Sequence, residues 1–415
     1  MGGINTAHGD IARCLMAALT GQISNDTAVV LIFEDTDNTQ SKYWWVLGRA
    51  FLADLEVLTE YTVLRHCQRF AEAIHSQEAD VLEGHFRGAA LWPAADNFFR
   101  HLAGGALVLL DESFPPLPVA AHLAGGEGLE RVPRAVFLLG LREELSPEQL
   151  RRFEEAAAAG AWQMLRLSLG WVGEFTSKVV ARLQVLHSRD LLLTLRRLCG
   201  QEAPNEAAWP CPLSRDRELF FKEGPLVHFV LPAHMRLEDL SCDPCSPAAG
   251  ACSLVARACI AGLWRAHHAW DRCRLSFVFE DGVVTVTRRF KGRFQRKRQT
   301  EYHVLKELRQ LMDRASPKAT LKKACTVQLL SDDPVLPYRP EGTIELQLEA
   351  SEAAEAWPLV PELLQALWQP PEGEDQPSCM VLLCCFTAPP WRNFDACRRF
   401  AAGLRGIDDH FGARG

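Results

Sequence analysis

Two carboxylates at the end of an apolar run have the clearest potential for catalysis. The run AVVLIF, residues 28–33, is typical of a strand buried on both faces, and Asp35 and Asp37 follow it. Carboxylates at the carboxyl end of a parallel strand can hold Mg²⁺ and attack a phosphoryl group. An acidic loop that only turns the chain after the strand would explain the same residues.

The segment LIFEDTDNT, residues 31–39, resembles the first motif of the haloacid-dehalogenase phosphatase family, D-x-D-x-T after a strand. The resemblance implies that Asp35 is the nucleophile, that Asp37 is a general acid/base and that Mg²⁺ binds beside them. It is confined to this segment. Glu34 stands between the strand and the motif, and the glycine-bearing turn of the family is missing. Asp111 and Glu112, after a later apolar run, are candidates for further acids.

The run VLLDE, residues 108–112, resembles a Walker B strand, whose acid holds Mg²⁺ beside a nucleotide. A Walker B strand needs a phosphate-binding loop of the form G-x-x-x-x-G-K-[ST], and the sequence contains none. We therefore predict an α/β scaffold without a functional phosphate loop.

A pair of cysteines two residues apart has the spacing of metal ligands. With residues further along, it could form a Cys₃His zinc site made of Cys242, Cys245, His268 (or His267) and Cys273. The Asp-Pro dipeptide between the thiols also favours a plain turn. Cys252 and Cys259 lie seven residues apart on one helical face, which is typical of a core. Zinc ligation and a structural role both stay open for the paired cysteines.

The strongest binding feature is the basic segment, residues 288–298, which follows a predicted β-hairpin with Asp281-Gly282 at its turn. We predict that it binds DNA or RNA, with cations on phosphates while Phe290 and Phe294 stack on bases. The predicted contact residues are Arg288, Arg289, Lys291, Arg293, Phe294, Arg296, Lys297 and Arg298. A nuclear-import signal, or a solvated strand extension that pairs with acids of the same chain, would have the same composition.

The composition indicates an intracellular globular protein. The 415 residues have room for two domains, and 48% apolar with 23% charged residues excludes general disorder. A net charge of −7 confines any polyanion contact to a patch. Fourteen scattered cysteines without a secretory leader predict reduced thiols in the nucleus or cytoplasm rather than secretion. No apolar run reaches the roughly 18 residues of a membrane span. Gly2 and Thr6 fit the loose myristoylation pattern, without the basic cluster that stable anchoring needs.

Apolar strands alternate with helices in the first half of the chain. Ser146 as N-cap, Pro147, Gln149 and the terminating Gly160 mark one helix. The other predicted elements are strands at 28–33, 106–110, 135–139 and 162–167, a helix at 7–20, helices around a strand near 59–64 within 43–77, and a long helix at 174–198. This alternation predicts an α/β domain with a mostly parallel sheet in residues 1–199.

Residues 200–224 are rich in proline and charge, which predicts a linker. Residues 225–415 are predicted to form an α+β domain with a mostly antiparallel sheet. Its elements are strands at 226–231, 326–330, 343–348 and 380–386, the basic hairpin, and helices at 253–269, 304–312, 353–368 and 394–404.

These features predict a non-enzymatic subunit or scaffold of a nuclear or cytoplasmic multiprotein complex, without a cofactor. Its predicted partners are other protein subunits and, through the basic segment, DNA, RNA or an acidic protein. One alternative is a Mg²⁺-dependent phosphotransfer enzyme that uses Asp35 and Asp37. Another is a pure protein–protein adaptor, favoured by the strongly apolar predicted helices near the C-terminus.

Overall fold

A computed structural model of the chain describes residues 6–20, 27–34, 43–76, 86–93, 98–102, 104–111, 114, 117, 134–141, 145–169, 176–187, 191–192, 195, 227–233, 235–264, 273–287, 290, 299–313, 325–329 and 379–386. Its elements in chain order are α1 (Thr6–Leu19), β1 (Thr27–Glu34), β2 (Tyr43–Gly48), α2 (Glu60–Ser76), β3 (Ala89–Pro93), α3 (Phe98–His101), β4 (Ala106–Leu110), β5 (Ala135–Gly140), α4 (Pro147–Ala159), β6 (Gln163–Leu167), α5 (Thr176–His187), β7 (Val227–Pro232), α6 (Ala249–Leu263), β8 (Cys273–Val278), β9 (Gly282–Thr287), α7 (Glu301–Asp313), β10 (Cys325–Leu329) and β11 (Cys379–Phe386). Short 3₁₀ turns lie at Arg49–Leu52 and Leu237–Asp239.

Seven of the described strands form one sheet in the order β3-β2-β1-β11-β5-β4-β6. The five strands β1, β11, β5, β4 and β6 are parallel to one another. At one edge of the sheet, β2 pairs antiparallel with β1, and β3 pairs antiparallel with β2. Residues 28–32, 106–109 and 135–139 are buried without interruption, as strands covered on both faces should be. The mixed α/β content with parallel strands in the first half of the chain is thereby confirmed.

Helices cover both faces of this sheet. Val29 and Leu31 of β1 face a core that includes buried residues of α1, α2 and α5. Val30 and Ile32 face a second core that includes residues of α3 and α4. Burial of one such side chain contributes about 1.5–3 kcal/mol, so the alternation along β1 fixes both layers at once.

Helix α4 begins and ends as its sequence predicts. The Ser146 side chain accepts a hydrogen bond from the Gln149 backbone N–H at 3.2 Å, and the Gln149 side chain accepts from the Ser146 N–H at 2.8 Å. Pro147 lies in the first turn, and Gly160 is the C-cap. A Cβ atom at Gly160 would lie 2.5 Å from the Phe99 carbonyl oxygen, so only glycine fits at this end of the helix.

Two predictions for residues 43–77 are wrong. Residues 43–48 form strand β2 rather than a helix, because Trp44 and Val46 pack in one core while Trp45 and Leu47 pack in the other. Burial on both faces removed the alternation that would have identified the strand. Thr59 does not lie in a strand either: its hydroxyl accepts from the Thr62 backbone N–H at 3.0 Å, at the start of helix α2.

The second sheet has the order β10-β9-β8-β7. The β8–β9 hairpin is confirmed, with the Phe279 N–H donating to the Gly282 carbonyl at 2.8 Å across the turn. The pairing of β10 with β9 is also antiparallel, whereas β7 runs parallel to β8. Helices α6 and α7 share a buried core with the hairpin, as the helical spacing after the basic segment predicts.

Strand β11 was expected in the second sheet, and that expectation is wrong. It pairs in parallel with β1 on one side and β5 on the other, at the centre of the first sheet. Pairing of parallel strands is not encoded locally, and the apolar run CMVLLCCF suits a strand buried on both faces.

The division into residues 1–199, a linker 200–224 and residues 225–415 stays a prediction, and one described strand, β11, pairs across this division. None of the helices within the described ranges is long and apolar enough to cross a membrane.

Candidate nucleic-acid interface

The basic segment begins where strand β9 ends. Strand β9 lies between β8 and β10, and its last residue, Thr287, is opposite Arg274 of β8. The Ser276 and Thr285 hydroxyls are hydrogen-bonded across the hairpin at 2.6 Å. The N-terminal end of the basic segment is therefore attached to a strand that is paired on both sides.

Phe290 anchors the segment in the core. Its side chain is fully buried, and its ring centroid lies 6.3 Å from that of Trp264 in an edge-on arrangement. The prediction that Phe290 stacks on a base is therefore wrong, because the ring is already used in the core behind the second sheet. The remaining predicted contact residues, Arg288, Arg289, Lys291, Arg293, Phe294, Arg296, Lys297 and Arg298, lie outside the described residues.

The C-terminal end of the segment is also held by buried residues. Gln299 and Thr300 are buried, and the Gln299 carbonyl accepts a hydrogen bond from the Arg13 guanidinium at 3.1 Å. The Thr300 hydroxyl and His303 Nδ1 are 2.7 Å apart in the first turn of α7. Residues 291–298 thus connect two buried anchors, Phe290 and Gln299.

A buried ionic cluster lies behind the second anchor. Arg13 of α1 donates hydrogen bonds to the carboxylates of Asp10 and Glu60. The carboxylate of Glu301, the first residue of α7, lies 3.5 Å from Arg257 of α6. We call these five residues the ionic cluster; they come from helices α1, α2, α6 and α7.

Two helices in the cluster cap each other. The Glu60 backbone N–H donates to Glu301 Oε2 at 2.8 Å, and the Glu301 N–H donates to Glu60 Oε2 at 2.9 Å. Each carboxyl group thus meets the positive N-terminal end of the other helix, where it satisfies a backbone donor. A Cβ atom at Gly9 would lie 3.0 Å from the Glu60 carboxylate, so α1 approaches the pair at a glycine.

Burial dominates the electrostatics of the cluster. It raises the pKa of Glu301 to about 8, with a further rise from Glu60, against the opposing effect of Arg257. It also raises the pKa of Glu60, although Arg13 opposes the rise. Burial disfavours the charged form of Arg13, but its carboxylate neighbours outweigh this and raise its pKa above the usual value. Near neutral pH, Arg13 is charged and the Glu60–Glu301 pair retains a proton.

The cysteine pair sits in a tight turn. Asp243 Oδ1 accepts from the Cys245 N–H at 2.9 Å, and the Asp243 N–H donates to the Ser241 hydroxyl at 3.0 Å. Cys242 is partly buried and Cys245 is exposed. No group of three possible metal ligands occurs within the described residues, and His268 lies outside them. Zinc ligation therefore stays a prediction, whereas the core position predicted for Cys252 and Cys259 is confirmed.

The carboxyl ends of the parallel strands define the second predicted site. Asp35 and Asp37 lie outside the described residues, so phosphotransfer by them stays a prediction. Asp111 follows β4, which is the third strand from β1 across the sheet. With neighbouring strands about 4.8 Å apart, the two strand ends are separated by about 14 Å. The role of Asp111 as a further acid stays a prediction, as does that of Glu112, which lies outside the described residues.

The ionic cluster was not anticipated from the sequence. The available signal was Arg13 itself, a cation inside the apolar helical run IARCLMAAL. Its partners, Glu60 and Glu301, are far away in the chain, and no short motif links them. No family model matches the chain, and no similar curated protein or solved structure was found.

Proposed function

We propose that the protein is a non-enzymatic, intracellular subunit of a multiprotein complex and that its basic segment, residues 288–298, contacts nucleic acid. The main supporting observation is that two buried anchors, Phe290 and Gln299, lie on either side of residues 291–298, which are rich in Arg and Lys. A basic segment attached at both ends to folded structure presents its charges over a limited region. Less conformational freedom is then lost on binding than from a free tail.

Three carboxylates beside the second anchor support contact with an external polyanion. Asp10 and Glu60 are bonded to Arg13, and Glu301 is engaged with Arg257 and with the backbone of Glu60. These three acids are therefore already committed within the ionic cluster. This favours an external polyanion over neutralisation of the basic segment by these carboxylates.

The chemistry of the segment suits a phosphate backbone. Arg and Lys bind phosphates without reading the base sequence. Phe294, the other aromatic residue of the segment, would stack on a base. Because the whole chain is acidic, with a net charge of −7, the contact would be confined to this region. The first sheet would serve as the scaffold on which other subunits assemble, and residues 1–199 and 225–415 would be its two domains.

The test is a binding titration with the full chain. Labelled single-stranded DNA, single-stranded RNA, duplex DNA and polyglutamate are each titrated at several salt concentrations. In the variant, Arg289, Lys291, Arg293, Arg296 and Lys297 are all changed to Gln. We expect the variant to bind at least one nucleic acid more than tenfold more weakly, since each lost phosphate contact removes counterion release.

The control variant changes Arg151 and Arg152 to Gln. These residues lie on helix α4, where each pairs with a glutamate one turn away, so the control alters local charge far from the hairpin in sequence. Its affinity should equal that of the unmodified protein. Unchanged nucleic-acid affinity in the five-site variant would contradict the proposal. Binding to polyglutamate alone would replace nucleic acid by an acidic protein partner.

A further inference from the structure

Helices α1, α5 and α6 line an open cleft of about 310 Å³ beside the ionic cluster. The volume lies within the roughly 300–1,000 Å³ typical of small-molecule sites. The cleft is lined by Arg13, Met16, Ala17, Thr20, Ser177, Lys178, Ala181, Arg257, Ile260 and Ala261.

The lining combines cations with an apolar floor. Arg13, Lys178 and Arg257 supply positive charge, and no acidic residue lines the cleft within the part of the chain that the structure describes. Two hydroxyl side chains, Thr20 and Ser177, add hydrogen-bonding capacity, while the other lining residues are methionine, isoleucine and alanine. Such a surface complements a ligand with one anionic end and one apolar end.

Contacts around the cleft hold the cations in place. Lys178 Nζ donates to the Trp264 carbonyl at 2.7 Å, which ties the first turn of α5 to the end of α6. Arg257 Nη1 lies 3.5 Å from Met16 Sδ, so its guanidinium extends from α6 to α1. The first turn of α5, which includes Ser177 and Lys178, adds the positive end of a helix dipole.

The arginines of the cleft differ in their acidic neighbours. Arg13 donates to Asp10, Glu60 and the Gln299 carbonyl, so it acts as a buried support. Arg257 has Glu301 as its acidic neighbour at 3.5 Å. Because burial raises the pKa of Glu301 to about 8, that neighbour is mostly protonated at neutral pH. Arg257 and Lys178 therefore both bring a cation to the cleft.

We propose that this cleft binds a small organic anion, in which a phosphate or carboxylate group is carried on an apolar body. The anionic group lies against Arg257 and Lys178, and the apolar body lies against Met16, Ala181 and Ile260. This site is independent of the proposed nucleic-acid contact, since it uses no residue of the basic segment.

The experiment is a fluorescence titration of the full chain with 8-anilinonaphthalene-1-sulfonate, an aromatic anion. The probe should bind saturably, and Arg257→Gln should weaken its binding about tenfold, the effect of losing one charge-assisted hydrogen bond. Ala261→Phe should weaken binding by filling the cleft without changing charge. Arg151→Gln, which removes the same charge from α4, should leave binding unchanged.

Displacement of the probe identifies the anionic group. Phenyl phosphate and octanoate are titrated into the complex, with inorganic phosphate as the head group alone. Displacement by phenyl phosphate alone assigns a phosphate ligand, and displacement by octanoate alone assigns a carboxylate. Circular dichroism and thermal melting identify the variants that remain folded. Wild-type affinity in every folded cleft variant, or no saturable binding by the unmodified protein, would overturn the proposal.

Discussion

The molecule contains the same kind of ion pair in two opposite settings. On helix α4, Arg151 pairs with Glu155 at 3.4 Å, and Arg152 pairs with Glu148 at 3.3 Å, all partly or fully exposed to solvent. In the ionic cluster, Arg13 pairs with Glu60, and both are at least 94% buried. Water and salt screen the first pairs, so they stabilise little, whereas an unpaired charge in the second setting has no solvent to replace its partner.

The two settings also differ in how far apart the paired residues lie in the chain. The pairs on α4 are one helical turn apart, and both lie on a helix whose caps follow from the sequence. Arg13 and Glu60 lie 47 residues apart, and Arg13 contacts a carbonyl 286 residues away. The exposed pairs lie on the surface of one helix, while the buried cluster joins helices from distant parts of the chain.

The largest effect is expected from Arg13→Met, which keeps an unbranched, largely apolar side chain and removes the guanidinium group with its charge. The carboxylates of Asp10 and Glu60 then lose their partner in a buried site, and the Gln299 carbonyl loses a donor. We expect the free energy of unfolding to fall by about 3–5 kcal/mol, measured by urea denaturation at pH 7. Arg152→Met on α4 is the matched control. An equal loss of unfolding free energy in both variants would show that the buried arginine stabilises the protein no more than the exposed one.

A second large effect is expected in the pH dependence of stability. The pKa of Glu301 is about 8 in the folded protein and about 4.5 when unfolded, so its stabilising contribution is complete below pH 4.5 and is lost as pH rises through 8. Across this window, stability should fall by up to about 1.4 kcal/mol per pH unit. The charged groups that interact with Glu301 are Arg13 of α1, Glu60 of α2 and Arg257 of α6.

The variant Glu301→Gln isolates this contribution. The amide oxygen can still accept from the Glu60 N–H but cannot titrate. Urea denaturation from pH 5 to pH 9 should therefore show a flatter curve for the variant than for the unmodified protein. Parallel curves for the two proteins would show that Glu301 titrates normally.

The smallest effect is expected on helix α4. A double-mutant cycle with Arg151→Ala and Glu155→Ala should give a coupling free energy of about 0.3–0.5 kcal/mol at low salt. The coupling should fall further in 0.5 M salt, since a Debye length of about 4 Å screens exposed charges. A coupling above about 2 kcal/mol would place this pair with the buried cluster instead.

The sequence predicts structure well where the determinants are close together. The capping box at Ser146 and Gln149 and the Asp281-Gly282 hairpin are encoded within a few residues, and both are confirmed. Strand β2 was missed because burial on both faces hid its alternation. The sheet position of β11 was missed because its partners, β1 and β5, are hundreds of residues away.

The same distinction applies to the candidate site. The hairpin that carries the basic segment follows from local pattern, but the burial of Phe290 depends on Trp264 and the core behind the second sheet. The Arg13 contact to Gln299 could not be inferred from spacing at all. Charge composition therefore located the segment, and only tertiary contacts identified its anchors.

The proposed nucleic-acid contact requires basic side chains of residues 288–298 to bind phosphates, and the salt dependence of nucleic-acid affinity measures such binding directly. With single-stranded nucleic acid, each phosphate contact contributes about 0.7 to the slope of log affinity against log salt concentration. We predict that replacing Arg289, Lys291, Arg293, Arg296 and Lys297 by Gln lowers the slope by about 2–3.5, depending on how many of them bind phosphate. An identical slope for the unmodified protein and this variant would show that these five side chains do not bind phosphate.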